Sequence, residues 1–407
     1  MSIAPPPRSG CRRRLRPCLV LVLLLSAMGY KVPCALADRT LVPLPIFTTA
    51  PNEGTTYGAL LAIVEEQAGA LRSLLVPQAM WNPLLGLRAA GYYQRLLTPN
   101  EYYTLFASQS TRNQAHYEVT YTNPALAQRR YFFDGKLDYI NDRTARFFGL
   151  GADSRKQDET NYTLRDIGGS ATLGWWIMPT LRVSLTERLR LVDIDRGVVH
   201  ALPFLRDKLP GLPGEQGAFV WAHRFALTYD ARNAYETPTR GYFGQLFVEA
   251  AERALGSQAA FVRYGLEGRL LWPLLNDRLV TAMRGLVERV EGAEVPFFER
   301  SALGGDDTLR GFGDERFRDT GRILLNVEER IRLFALTYRG IRTAFELAVF
   351  TEAGRVFHTF STLDTRKVQT VVGTGIRLVV TSQIVAKIDV GLGSEGTAIF
   401  AGLHYPF

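Results

Sequence analysis

The residues best suited to specific chemistry lie in one short stretch, Ser301-Ala302-Leu303-Gly304-Gly305-Asp306-Asp307-Thr308-Leu309-Arg310-Gly311-Phe312. Gly, Asp and Thr supply left-handed backbone and side-chain-to-backbone bonds, so this is a structured loop rather than a strand or helix. It presents one guanidinium, Arg310, between Leu309 and Gly311 and ahead of Phe312. On these residues alone a solvated arginine is the default. The chemistry open to it otherwise is recognition of carboxylates by a rigid fork of donors. Bond-breaking chemistry is poorly served elsewhere. His116, His200, His223, His358 and His404 have no metal-like spacing. Neither a Gly-x-Ser-x-Gly elbow nor a phosphate loop occurs. Asp306-Asp307 lacks the ligand spacing of a calcium loop. The expectation is a protein that is not an enzyme, with no cofactor and no metal.

The elements that must position this loop follow a leader. Arg8, Arg12, Arg13, Arg14 and Arg16 precede an apolar run from Leu19 to Met28, and Ala35-Leu36-Ala37 ends in small residues. That is the pattern of a secretory signal peptide, residues 1–37, cleaved after Ala37. The run is shorter than the roughly 20 residues a spanning helix needs. The formal charge is +8, but residues 1–37 hold six basic and no acidic residues, so the remainder is near +2. A nucleic-acid partner therefore has little support. Cys11, Cys18 and Cys34 all leave with the leader, so residues 38–407 carry no disulfide, thiol nucleophile or cysteine metal site.

Residues 38–407 show a period of two. Ile384, Ala386, Ile388, Val390 and Leu392 alternate with Val385, Lys387, Asp389 and Gly391. Val262, Tyr264, Leu266, Leu270 and Trp272 alternate with Arg263, Gly265, Glu267 and Arg269. Leu325, Val327, Ile331 and Leu333 alternate with Asn326, Glu328, Arg330 and Arg332. The strands run about ten residues, longer than in most globular sheets and suited to crossing a bilayer at a tilt. Trp175-Trp176 and Trp272 sit near strand ends, as interfacial aromatics do. Tight connections (Met178-Pro179-Thr180, Leu274-Leu275-Asn276-Asp277, Thr381-Ser382-Gln383) alternate with long polar ones (Gly151 to Thr160, Asp193 to Gly217, Glu291 to Asp319). This predicts an all-β chain: a transmembrane antiparallel β-barrel. At about 23 residues per strand and connection, it should have about 16 strands. Glu329 falls on the lipid face, which is costly away from an interface. At the end of the chain Ile399, Ala401, Leu403, Tyr405 and Phe407 share a face, interrupted by Pro406, which cannot donate a ladder bond.

Four stretches, in order, carry a resemblance. Phe148-Gly149-Leu150-Gly151, then Asp230-Ala231-Arg232-Asn233 followed by Pro238-Thr239-Arg240-Gly241, then Leu309-Arg310-Gly311-Phe312, then Phe350-Thr351-Glu352-Ala353-Gly354 resemble motifs of the BamA/TamA superfamily of bacterial outer-membrane barrels, the bacterial surface-antigen type. Gly402, Tyr405 and Phe407 are similar to the C-terminal signal read by the barrel-assembly machinery. The resemblance covers about residues 45–407. It implies a barrel in the outer membrane, surrounded by lipid, with Arg310 on the sixth extracellular loop and folded back into the lumen against acidic wall residues. Alternation places Glu328 and Glu352 inward on the next two strands, Glu352 standing where the family has Asp. The implied function is outer-membrane protein assembly or translocation, with a periplasmic protein as partner or client. Only Asp38 to Phe47 separates the leader from strand-like sequence, so no POTRA domain is expected in residues 38–407. The alternative is a passive channel or structural barrel. For it, the mixed signs of Arg263, Glu267, Arg269, Arg284, Lys387 and Asp389 imply little ion selectivity.

Overall fold

The computed structural model describes residues 30–407 except 35–36, 51, 68–69, 99, 339–340 and 381–383. Most of the expected leader, and the turn at Thr381-Ser382-Gln383, lie outside the described residues. Tyr30–Cys34 is described, as a strand paired with residues 37–41, and cleavage after Ala37 would remove it.

Among the described residues, eighteen strands close into one antiparallel barrel, from Ala37–Ala50 to Gly396–Gly402. Alternation is the cause. Leu246 and Val248 are 56% and 45% exposed on the outer face, while Phe247 and Glu249 between and beside them are buried in the lumen. An apolar outer face and a satisfied backbone ladder are what a bilayer demands of a β-structure. No helix among the described residues is long and apolar enough to cross a membrane. Trp175, Tyr229, Tyr242 and Trp272 form an exposed aromatic belt near one barrel end. The count exceeds the expected value of about 16 because the hairpins of the N-terminal third (Gly54–Gln67, Ala70–Asn82, Gly86–Leu96, Tyr102–Ser110) spend fewer residues per strand than average.

Long connections (148–159, 197–216, 252–260, 292–320 and 358–368) all fall at one end, and 126–130, 179–180 and 275–278 at the other. The longer connection 231–240 is also at the short-turn end. With eighteen strands, the loop 292–320 is the seventh connection at its end, not the sixth.

Two local departures from strict alternation matter. The strand Gly321–Tyr338 has a register shift between Arg332 and Phe334, so Phe334 faces Phe345 and the expected sequence of faces ends at Arg332. Glu329 does face outward, but it lies two residues from the end of pairing with the strand Leu279–Glu291, and Thr281 Oγ1 donates to it at 2.8 Å. A neighbouring hydroxyl and the nearby barrel rim relieve the expected cost.

Closure is uneven. The first strand pairs with Gly54–Gln67 from Asp38 through Ala50, whereas among the described residues its pairing with the last strand is at Thr49↔Ile399. The last strand is seven residues long and stops at Gly402. The expectation that Leu403, Tyr405 and Phe407 continue its alternating face is corrected here. Residues 403–407 leave the ladder and turn into the lumen, where Phe407 packs on Leu271, Val280 and Ala282. Pro406 offers no N–H to extend pairing.

Candidate functional site

The loop 292–320 folds into the lumen and its shape is set by glycine. Gly304 and Gly305 have φ of 119° and 94°, in the left-handed region. Thr308 Oγ1 accepts from Gly304 N at 2.8 Å and donates to Gly304 O at 2.9 Å. Leu309 and Phe312 are fully buried against Leu303, Leu324, Phe350 and Val356. Gly311 rests on the strand Ile384–Gly393: a Cβ there would lie 2.6 Å from Gly393 N, and one on Gly391 would lie 2.2 Å from Arg310 O. No larger residue allows this approach of backbone to backbone.

That seating delivers Arg310 to the wall with no exposed surface. Its Nε donates to Glu352 Oε1 at 2.7 Å and its backbone N to Glu352 Oε2 at 2.6 Å. Its Nη1 donates to Glu328 Oε2 at 2.7 Å and to Asp389 Oδ2 at 3.1 Å. The guanidinium lies 3.5 Å from the centre of the Phe350 ring. Burial alone would favour the neutral form, but Glu352, Glu328 and Asp389 outweigh it and hold Arg310 charged. Asn326 Nδ2 supports the site by donating to Glu352 Oε1 at 3.0 Å and to Thr308 O at 2.8 Å.

Two further arginines complete it. Arg377 donates to Asp389 Oδ1 at 2.5 Å and to Glu328 Oε2 at 3.1 Å. Arg330 donates to Glu328 Oε1 at 3.0 Å. Three cations thus face three carboxylates in a buried cluster. Arg330 also reaches the chain terminus, donating to Phe407 O at 3.2 Å and lying 3.8 Å from the Tyr405 ring centre. Tyr405 Oη donates to Glu346 Oε2 at 2.7 Å.

The structure therefore brings Leu309, Arg310, Gly311 and Phe312 together with Glu328 and Glu352. Tyr405 and Phe407 sit beside them through Arg330, and Gly402 ends the last strand. Sequence reasoning missed Asp389 as a partner of Arg310, and Arg377 as a second cation on Glu328 and Asp389. It also missed a second anchor. Glu299, buried within the same loop, accepts from Arg188 at 2.9 and 3.0 Å, Arg190 at 3.1 Å and Arg263 at 3.0 Å. Burial raises such a carboxyl, but Arg188 and Arg263 pull Glu299 well below the usual range. Phe297 beside it packs edge-on to Phe147 and Tyr162. The available signal was an excess of inward arginines on neighbouring strands, which requires a counter-charge from somewhere. Asp306, Asp307 and His404 bring ligand-type atoms within 4.8 Å of one another, and Lys387 Nζ already lies 3.2 Å from Asp306.

A closed antiparallel barrel with an apolar outer belt and a long loop folded into a charged lumen defines the class: an outer-membrane β-barrel protein. The Omp85 superfamily domain matches residues 97–392, and the chain belongs to that superfamily. Outer membrane protein assembly factor BamA of Nitratidesulfovibrio vulgaris is 25% identical over 224 residues, which is 54% of this chain and 25% of that protein. The match thus spans about a quarter of its relative's length. BamA from Haemophilus ducreyi lacking POTRA domains 1–3 is a structural neighbour with a TM-score of 0.54 and 15% identity, covering 95% of this chain and 78% of that one. CdiB from Escherichia coli has a TM-score of 0.47 and 12% identity, covering 91% and 64%.

Proposed function

We propose that this chain assists insertion or translocation of proteins at the outer membrane, using a strand seam that opens while the Arg310 loop holds the rest of the barrel in shape. The observation that carries the proposal is the seam itself, a single ladder pair among the described residues, beside a wall clamped by a buried charge cluster. An antiparallel sheet held by one pair has lost most of its ladder bonds at that edge, so opening there costs least. Arg310 acts as a latch: it ties the loop to Glu328, Glu352 and Asp389, on strands that lead up to the seam. Gly402, Tyr405 and Phe407 serve as the C-terminal recognition segment during the barrel's own assembly. Membership of the Omp85 superfamily and the likeness to an assembly factor support this reading. A periplasmic partner or client would approach the short-turn end, where the first strand begins and the last strand stops.

The test exploits the register. Thr49→Cys with Ile399→Cys places two thiols on directly paired residues, within reach of a disulfide. Proteoliposomes carrying the folded chain should speed membrane insertion of an unfolded β-barrel substrate over empty liposomes. Oxidation of the double variant should abolish the gain and reductant should restore it. A gain that survives oxidation sinks the seam mechanism, and no gain at all favours a channel or structural barrel.

A further inference from the structure

The lumen charges divide into two populations. On the loop side they neutralise one another. Arg263 pairs with Glu249 and Glu299, Glu267 with Arg269 and Arg284, Lys387 with Asp306, and Asp389 with Arg310 and Arg377. The mixed signs that suggested an unselective lumen are spent in holding the loop. What remains open is the opposite side, bounded by the N-terminal strands.

Two cavities lie there, of about 540 and about 730 Å³. They share Tyr102, Thr122, Tyr235 and Glu236 in their linings, so they adjoin, the outer one at the short-turn end. The inner cavity is walled by Tyr92, Tyr102, Phe106 and Tyr235, and by the carboxylates Glu118, Asp134 and Glu236. Glu118 is neutralised by Lys136 at 2.7 Å. Asp134 accepts from Thr122 Oγ1 at 2.7 Å, and neither it nor Glu236 has a cationic side chain within 4.0 Å among the described residues; Arg182, stacked on Phe132 and Trp176, acts on Asp134 from further off. Of the basic groups that act on Glu236, Arg232 is engaged with Asp230 at 2.8 Å, and the His404 ring lies 3.3 Å from Asp307. Arg129, the guanidinium in the outer cavity's lining, is exposed on the turn at its lip.

We propose that this chamber binds small organic polycations, with ammonium groups at Asp134 and Glu236 and an aliphatic chain between the aromatic walls. The chemistry is complementary at each point. An ammonium gains from a carboxylate that no cation touches directly. Ring faces add cation–π attraction and an apolar surface for methylenes. A ligand with one charge would satisfy only one of the two carboxylates. A flexible diamine or longer polyamine satisfies both.

The folded full-length chain in detergent, titrated with spermine by calorimetry, tests this. Saturable binding is expected, weakened about tenfold by Asp134→Asn and about tenfold by Glu236→Gln, and further by both together. Tyr102→Leu should weaken it as well. Thermal unfolding of each variant checks that the barrel is intact. A second measurement needs no variant: in a bilayer under a salt gradient, the wild-type pore should pass cations in preference to anions, with spermine blocking the current. Absence of saturable binding, binding unchanged in an intact double variant, or anion preference would each overturn the proposal.

Discussion

Replacing Arg310 by alanine is the sharpest perturbation of the latch, and its size can be worked from the site. The substitution removes three side-chain donor contacts, to Glu352 at 2.7 Å, Glu328 at 2.7 Å and Asp389 at 3.1 Å. Arg330 and Arg377 remain against three carboxylates, so one negative charge is left uncompensated in a fully buried cluster. Breaking a buried ion pair from one side costs about 3–5 kcal/mol, because the remaining charge is stranded. Arg310→Lys should recover part of this: it keeps the charge, but one ammonium cannot reproduce the fork that meets Glu352 and Glu328 together. The assay is urea unfolding of the barrel folded in detergent, followed by tryptophan fluorescence. A double-mutant cycle with Glu352→Ala isolates the contact, and coupling of about 1–3 kcal/mol is expected for directly bonded side chains. Glu352→Ala in the Arg310→Ala background should cost much less than in wild type, because its cation is already gone. Additive losses would refute the reasoning outright.

Other perturbations follow from the same geometry. Gly391→Ala drives a methyl to 2.2 Å from Arg310 O, against backbone that cannot yield easily, and should unseat the loop tip, seen as faster proteolysis within residues 304–316. Glu299→Gln leaves Arg188, Arg190 and Arg263 short of counter-charge; faster amide exchange at residues 295–300 is expected, with the Arg310 end of the loop retaining its protection.

Much of the architecture was legible because a bilayer imposes a period of two on every strand. Lys387 and Asp389 read as inward and are buried; Ile388 and Leu392 read as outward and are exposed. Alternation is a local rule, however, and it says nothing about what crosses the lumen. Glu328 and Glu352 lie on the two strands following the loop, so sequence proximity was enough to place them near Arg310. Asp389 is 79 residues from Arg310 and its contact exists only because the barrel curves back on itself. Glu299 illustrates the same limit, since its partners Arg188 and Arg263 lie on strands reached from the opposite side. The expected strand number of about 16 is close to the eighteen found, and the difference has another cause. An average spacing hides how unequally this chain spends residues, from seven in Gly396–Gly402 to nineteen in Thr160–Met178.

The departure at the C-terminus carries the most physical content. A strand that continued to Phe407 would add ladder bonds to the first strand and strengthen the seam. Instead pairing stops at Gly402, and the last residues gain their contacts inside the lumen: Phe407 from Leu271 and Val280, Tyr405 from Glu346, and both from Arg330. Arg330 shares Glu328 with Arg310. The segment that leaves the seam short of partners is therefore held by the same charge cluster that seats the loop. Under the proposed function, seam and latch are one electrostatic unit, and withdrawing a guanidinium from Glu328 at either end shifts the balance at the other. Arg330→Ala should accordingly loosen both the tail and the loop tip in amide exchange; protection lost at residues 403–407 alone would mean that the two are merely neighbours.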